Sequence, residues 1–143
     1  MIFERILILG CGLIGSSLAA SARECGLARE IVGVDNKYEL MRERNPFFDE
    51  ISGSLKSFEE ADLCVIAIPI EGVPAVVKQL ADNQGKSNYD LITDVASNKR
   101  PLIEVLDELN QDSRGAFLSK FISSHPLAGS EQGGWESAST NLF

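Results

Sequence analysis

Gly10-Cys11-Gly12-Leu13-Ile14-Gly15 sets three glycines at the first, third and sixth places of a hexapeptide, a spacing suited to a bound diphosphate. Gly10 permits a tight turn, Gly12 has no Cβ to block an approaching pyrophosphate, and Gly15 lets the following helix pack close to a sheet. Cys11 contributes mainly its backbone. Leu13 and Ile14 open a helix whose unpaired N–H groups and positive dipole end suit phosphates. Twenty residues past Gly15 stands Asp35, a carboxylate able to accept both hydroxyls of an adenosine ribose. A 2′-phosphate in that place meets a like charge, costing about 4 kcal/mol per unit charge at ~4 Å in a medium of intermediate dielectric. NAD is therefore expected in preference to NADP, with Lys37 offsetting part of the repulsion.

The other chemistry-bearing residues lie further along. His125 is the single histidine of the chain. Oxidation of an alcohol by hydride transfer requires removal of the hydroxyl proton, a task that suits an imidazole near neutral pH. A histidine hydrogen-bonded at a strand end is the structural alternative. Ser97 is a candidate to hydrogen-bond the reacting hydroxyl, although helix capping explains it equally well. Lys99 is placed either to hold an anion or to stand solvated at the surface. Backbone groups around Ile68, Pro69 and Ile70 are expected to line the cofactor.

These residues need a frame that brings them together. Ile6–Leu9 is a continuous apolar run ending at Gly10, as in a strand buried on both faces of a parallel sheet. A helix follows from Leu13 to Cys25, with Gly26 placed to end it. Further strands are expected at 31–35, 63–68, 89–94 and 121–124, that at 63–68 stopped by Pro69 and the last closed by Pro126. Helices are expected at 38–44, broken by Asn45-Pro46, at 73–81 with Pro74 in its first turn, and from a cap at Ser97 or Asn98 to Leu109. Ser57-Phe58-Glu59-Glu60 has capping-box spacing, which predicts a helical turn beginning there. Strand and helix alternate throughout, giving an α/β, doubly wound parallel sheet of the Rossmann type, with residues 1–143 as one dinucleotide-binding domain. Ligands of such sheets sit beyond the strand carboxyl ends, where the segments after Ile68, Asp94 and Ser124 converge. From Gly133 the order fades, and the chain reads as truncated near its carboxyl end.

Composition narrows the classes. Thirteen Lys and Arg against 21 Asp and Glu give a net charge of −8, without the positive footprint that nucleic-acid binding needs. Cys11, Cys25 and Cys64 form no CxxC pair, and a single histidine leaves no metal cluster, so neither a disulfide framework nor a metal is expected and a reducing cytoplasm is the natural setting. No apolar run is long enough to span a membrane.

Three segments carry a family resemblance: Gly10-Cys-Gly-Leu-Ile-Gly-Ser-Ser-Leu-Ala19, Thr93-Asp-Val-Ala-Ser-Asn-Lys99 and Ser124-His-Pro-Leu-Ala-Gly-Ser-Glu131. In this order they resemble the signature segments of the prephenate/arogenate dehydrogenase family, over essentially the whole chain. The resemblance implies NAD(P)-dependent oxidative decarboxylation of prephenate or arogenate on the route to tyrosine. In that reading His125 accepts the ring-hydroxyl proton, and Ser97 hydrogen-bonds the hydroxyl and helps to orient the nicotinamide. It also implies a helical C-terminal domain, absent here, that forms a homodimer and supplies an arginine to the substrate carboxylates; Arg100 and Arg114 match no such position. Two other readings share the frame. One is a Rossmann dehydrogenase acting on a β-hydroxy acid; the other is a non-catalytic NAD-sensing module.

Overall fold

The computed structural model describes residues 1–83, 85, 88–112, 114–127 and 133–143. Residues 128–132, which include the end of the third signature segment, lie outside the described set.

Six strands form one parallel sheet in the order β3-β2-β1-β4-β5-β6. They are β1 (Phe3–Leu9), β2 (Ala28–Val34), β3 (Glu50–Ser52), β4 (Glu60–Ile66), β5 (Asn88–Asp94) and β6 (Phe121–Ser123). The longer helices are α1 (Leu13–Glu24), α3 (Val73–Asp82) and α4 (Arg100–Gln111), with single turns α2 (Tyr38–Met41) and α5 (Gly115–Leu118). The order reverses at β1 and β4, which creates the crevice where open α/β sheets bind ligands.

The apolar run of β1 divides by strand alternation. Ile6 and Ile8 face the α1 side with Ile31, Val65, Met41 and Phe48. Leu7 and Leu9 face the other side, against Val73, Val77 and Leu80 of α3 and Leu102, Val105 and Leu109 of α4. Both faces are covered, which is why β1 and β4 read as continuous hydrophobic runs. Gly26 ends α1 as expected, at φ +60. The Gly26 and Leu27 N–H groups bond back to the Arg23 and Ala22 carbonyls, the paired bonds of a Schellman motif.

Several expectations need correction. Ser57 does not start a helical turn; it ends one, a 3-10 turn over Leu55–Ser57 whose Lys56 N–H is accepted by the Ser54 hydroxyl. Phe58 is drawn into the core and Glu60 pairs with Asn88 in the sheet, so tertiary pairing overrides the local capping signal. The 63–68 strand instead begins at Glu60 and stops at Ile66, opposite Leu9, where its partner β1 ends and gives way to the glycine turn. The 31–35 strand starts earlier, at Ala28, and the helix from Tyr38 continues past Met41 only as hydrogen-bonded turns to Asn45. Strand β3 and helix α5 were not anticipated. Nor does order fade after Gly133: Trp135–Ser137 forms a 3-10 turn that packs beside α1, and the Ser139 N–H donates to the buried Ser17 hydroxyl at 3.1 Å.

Candidate functional site: a dinucleotide cleft

The β1–α1 turn follows from its glycines. Gly10 has φ +95, and a Cβ there stands 2.4 Å from the Ala67 carbonyl oxygen. A Cβ on Gly15 stands 1.9 Å from the Gly10 carbonyl oxygen, so the first turn of α1 lies directly on the loop before it. Gly12 differs: a Cβ there meets nothing within 4 Å, and the space on that side is open. Gly12 is also the N-cap residue of α1, and no side chain caps the helix. The N–H groups of Leu13, Ile14 and Gly15 accordingly lack the partner that Ser, Thr or Asp at an N-cap provides. Open space beside uncapped amides is a cradle for an anionic group.

Asp35 and Cys11 are linked. The Cys11 N–H donates to Asp35 Oδ2 at 2.9 Å, and Asp35 Oδ1 accepts the Lys37 N–H at 2.8 Å. The Cys11 amide is thus spent inside the protein, and the amides left to face a ligand begin after it. The Cys11 carbonyl is held as well, by the Ser16 hydroxyl at 2.9 Å, and Ser16 Oγ accepts from Asn45 Nδ2 at 2.9 Å. Ser16 and Asn45 are both buried. The Cys11 thiol is buried over Gly33, where a Cβ stands 2.4 Å from Sγ. Burial, and secondarily the Asp35 charge, push its pKa far above the usual thiol range, so it remains the inert –SH form.

A cleft of about 1050 Å³ opens at the strand carboxyl ends. Of the residues expected to hold the cofactor, Gly10, Gly12, Asp35, Ile68 and Pro69 line it together, whereas Cys11, Leu13, Ile14 and Gly15 are not in its lining. Lys37, Arg44 and the half-buried Trp135 line it too, and sequence reasoning did not single out the last two. A smaller cleft of about 700 Å³ lies at the strand amino ends, walled by surface charges, including the Arg5–Glu30 pair, and far from the glycine turn.

Ser97 and His125 are not in the cleft lining; they stand on neighbouring loops, beyond β5 and β6, and both are exposed. Ser97 is free of the capping role: α4 starts at Arg100, and its Arg100 N–H is accepted by Asn98 Oδ1 at 3.2 Å. Lys99 takes neither of its expected places. Its Nζ pairs with the buried Asp94 carboxylate and donates to the Ser124 carbonyl, one residue before His125. Asp94 ends β5 as Asp35 follows β2, and that symmetry was the available signal for its importance.

The chain matches a family model described as "Prephenate dehydrogenase, nucleotide-binding domain" over residues 18–143. It belongs to that family. The glycine turn lies just ahead of the matched stretch, and pairwise alignments that span nearly all of this chain cover it. Prephenate dehydrogenase of Lactococcus lactis subsp. cremoris is 35% identical over 141 residues, spanning 98% of this chain and 38% of that protein. Cyclohexadienyl dehydrogenase of Zymomonas mobilis is 31% identical, spanning 99% and 47%. Among solved structures, Aquifex aeolicus prephenate dehydrogenase in complex with hydroxyphenyl propionate and NAD+ superposes with a TM-score of 0.77 at 25% identity, covering 97% of this chain and 47% of that one. Synechocystis arogenate dehydrogenase gives 0.74 at 29% identity, covering 97% and 46%. The chain thus spans less than half the length of these relatives. Among the described residues no helix is long and apolar enough to cross a membrane.

Proposed function

We propose that this chain is the cofactor domain of an NAD-dependent dehydrogenase that oxidatively decarboxylates prephenate or arogenate. The observation that carries the reading is the glycine turn: an uncapped helix start with open space at Gly12, beside a carboxylate at the end of the next strand. The Leu13, Ile14 and Gly15 amides hold the diphosphate. Asp35 accepts the adenosine ribose hydroxyls with the lone pairs it has left, and Ile68 and Pro69 border the path toward the nicotinamide. Its negative charge favours NAD over NADP.

Bound NAD supplies the hydride acceptor for the ring carbon that bears the hydroxyl. His125 takes the hydroxyl proton, and Ser97, released from capping, hydrogen-bonds the same oxygen. The ring carboxylate leaves as carbon dioxide, and the electron pair of its C–C bond completes the aromatic ring. The protein's work is orientation and the acceptance of one proton. We further propose a substrate-binding and dimer-forming portion in the full-length protein; relatives more than twice as long as this chain leave room for it, and a reducing, cytoplasmic setting fits the free cysteines.

The test is the full-length protein assayed with prephenate, arogenate and a β-hydroxy acid, each with NAD. The proposal expects turnover of one of the first two, and a loss in His125→Asn of about 10²- to 10⁴-fold with dinucleotide affinity kept. Turnover of the β-hydroxy acid alone assigns the site to another dehydrogenase. No turnover of any, with NAD bound, fits a sensing module instead.

A further inference from the structure

His125 follows a weakly held strand. Strand β6 lies at the sheet edge and pairs with β5 over only three positions, Ile92↔Phe121 to Asp94↔Ser123. The loop after it is fixed by side chains instead. The Ser123 hydroxyl donates to Asp94 Oδ1 at 2.9 Å, and the Ser124 hydroxyl donates to the Asp94 carbonyl oxygen at 2.5 Å. The Thr93 hydroxyl donates to the Ile122 carbonyl at 2.6 Å. At the centre Lys99 Nζ reaches Asp94 Oδ2 at 2.5 Å and also the Ser124 carbonyl. Asp94 is fully buried and further accepts the Ala96 N–H at 2.9 Å, so the loop bearing Ser97 is tied to the same carboxylate.

A lysine so placed is poorly suited to hold an anion. Two of its three N–H groups are directed within the protein, and its charge is matched by a carboxylate from which water is excluded. What it does instead is hold the peptide that leads into residue 125. We propose that Lys99 is a positioning residue: anchored on Asp94, its ammonium clamps the Ser124 carbonyl and so sets where the His125 imidazole stands relative to Ser97. The proposal rests on the reading of His125 as the proton acceptor, but the clamp itself is testable without it.

His125 is the single histidine, so its ring protons give one unambiguous set of NMR signals. They are to be recorded in the wild-type chain, in Lys99→Met, and in the double variant Asp94→Asn/Lys99→Met, with melting curves and NAD calorimetry on the same samples. The double variant removes both charges and keeps one amide oxygen at position 94, which accepts from Ser123 or from Ala96 but not from both; where it folds it remains informative even if the single variant does not. Both variants should displace or broaden the His125 signals while NAD affinity stays within about twofold. In the full-length protein Lys99→Met should lower kcat roughly 10- to 100-fold with little change in the substrate KM, as expected of a misplaced group. Wild-type His125 signals in the folded double variant overturn the clamp, and so does a raised KM with kcat unchanged, which marks an anion-holding lysine. If His125→Asn leaves turnover intact while Lys99→Met still displaces the ring, the proton-acceptor reading fails and the clamp stands.

Discussion

The Asp35 carboxylate accepts the Cys11 amide at 2.9 Å, so the residue proposed to receive the ribose also holds the glycine turn in shape. In the proposed function, specificity and loop architecture share one side chain. Asp35→Ser, the obvious change to admit a 2′-phosphate, therefore removes a ribose acceptor and loosens the Cys11 amide at once. A hydrogen bond to a charged group is worth about 1.5–3 kcal/mol, which predicts a loss of NAD affinity of roughly 10- to 100-fold. NADP affinity should rise by less than removal of the charge alone would give, and melting temperature should fall. Calorimetry with both dinucleotides and a thermal melt check this; an unchanged melt with a full switch to NADP contradicts the shared role.

Two glycines of the same turn should separate folding from binding. Gly12→Ala points a methyl into open space, so stability should stay within about 0.5 kcal/mol of wild type. Dinucleotide affinity should nevertheless fall tenfold or more, because the methyl enters the space assigned to the diphosphate. Gly15→Ala drives a methyl into the Gly10 carbonyl and should cost about 1–3 kcal/mol or more as an overpacked contact. Urea unfolding and calorimetry on both variants read the contrast.

Ser16→Ala tests the buried brace behind the turn. It leaves Asn45 Nδ2 without the Ser16 oxygen and the Cys11 carbonyl without its hydroxyl donor. A buried group deprived of its partner costs about 1–3 kcal/mol. Stability should fall by that amount and NAD affinity should weaken with it, whereas Asn45→Ala, which leaves the Ser16–Cys11 bond, should do less to binding.

Alkaline pH should weaken the fold through two thiols. Burial raises the pKa of Cys64, and burial with the Asp35 charge raises that of Cys11, well above the ordinary 9.0. Below that value both states hold the thiol proton and stability is full. Above it the unfolded chain loses protons that the folded chain keeps, so stability falls by up to about 1.4 kcal/mol per pH unit for each thiol. Urea unfolding from pH 8 to 10.5 should show this decline, shallower in Cys64→Ala. At pH 8, alkylation of the native chain should label the exposed Cys25 and spare the other two.

Much of this was legible in the sequence because it rests on local rules. The β1 run, Gly10 and Gly15 announce the strand, turn and helix by spacing alone, and Asp35 lies at the distance a βαβ unit sets. The short strand β3 was not legible: Glu50-Ile51-Ser52 has no apolar run, and it exists because the β2 edge offers it partners. The Ser57 signal misled for the complementary reason, since burial of Phe58 outweighed a local cap. Lys99 shows a third limit. Its fate depends on Asp94 and Ser124, and only the pairing of β5 with β6 brings the Ser124 carbonyl within its reach. Asn45, read as a helix breaker, proved a buried partner of Ser16 for the same reason: the contact spans 29 residues.

Whether the turn at Gly10–Gly15 receives the diphosphate of NAD is read by titration calorimetry of the 143-residue chain with NAD. A single binding site is expected, tighter for NAD than for NADP, and abolished or sharply weakened in Gly12→Ala. Absence of any binding heat with NAD at about 1 mM, or equal binding by wild type and Gly12→Ala, contradicts it.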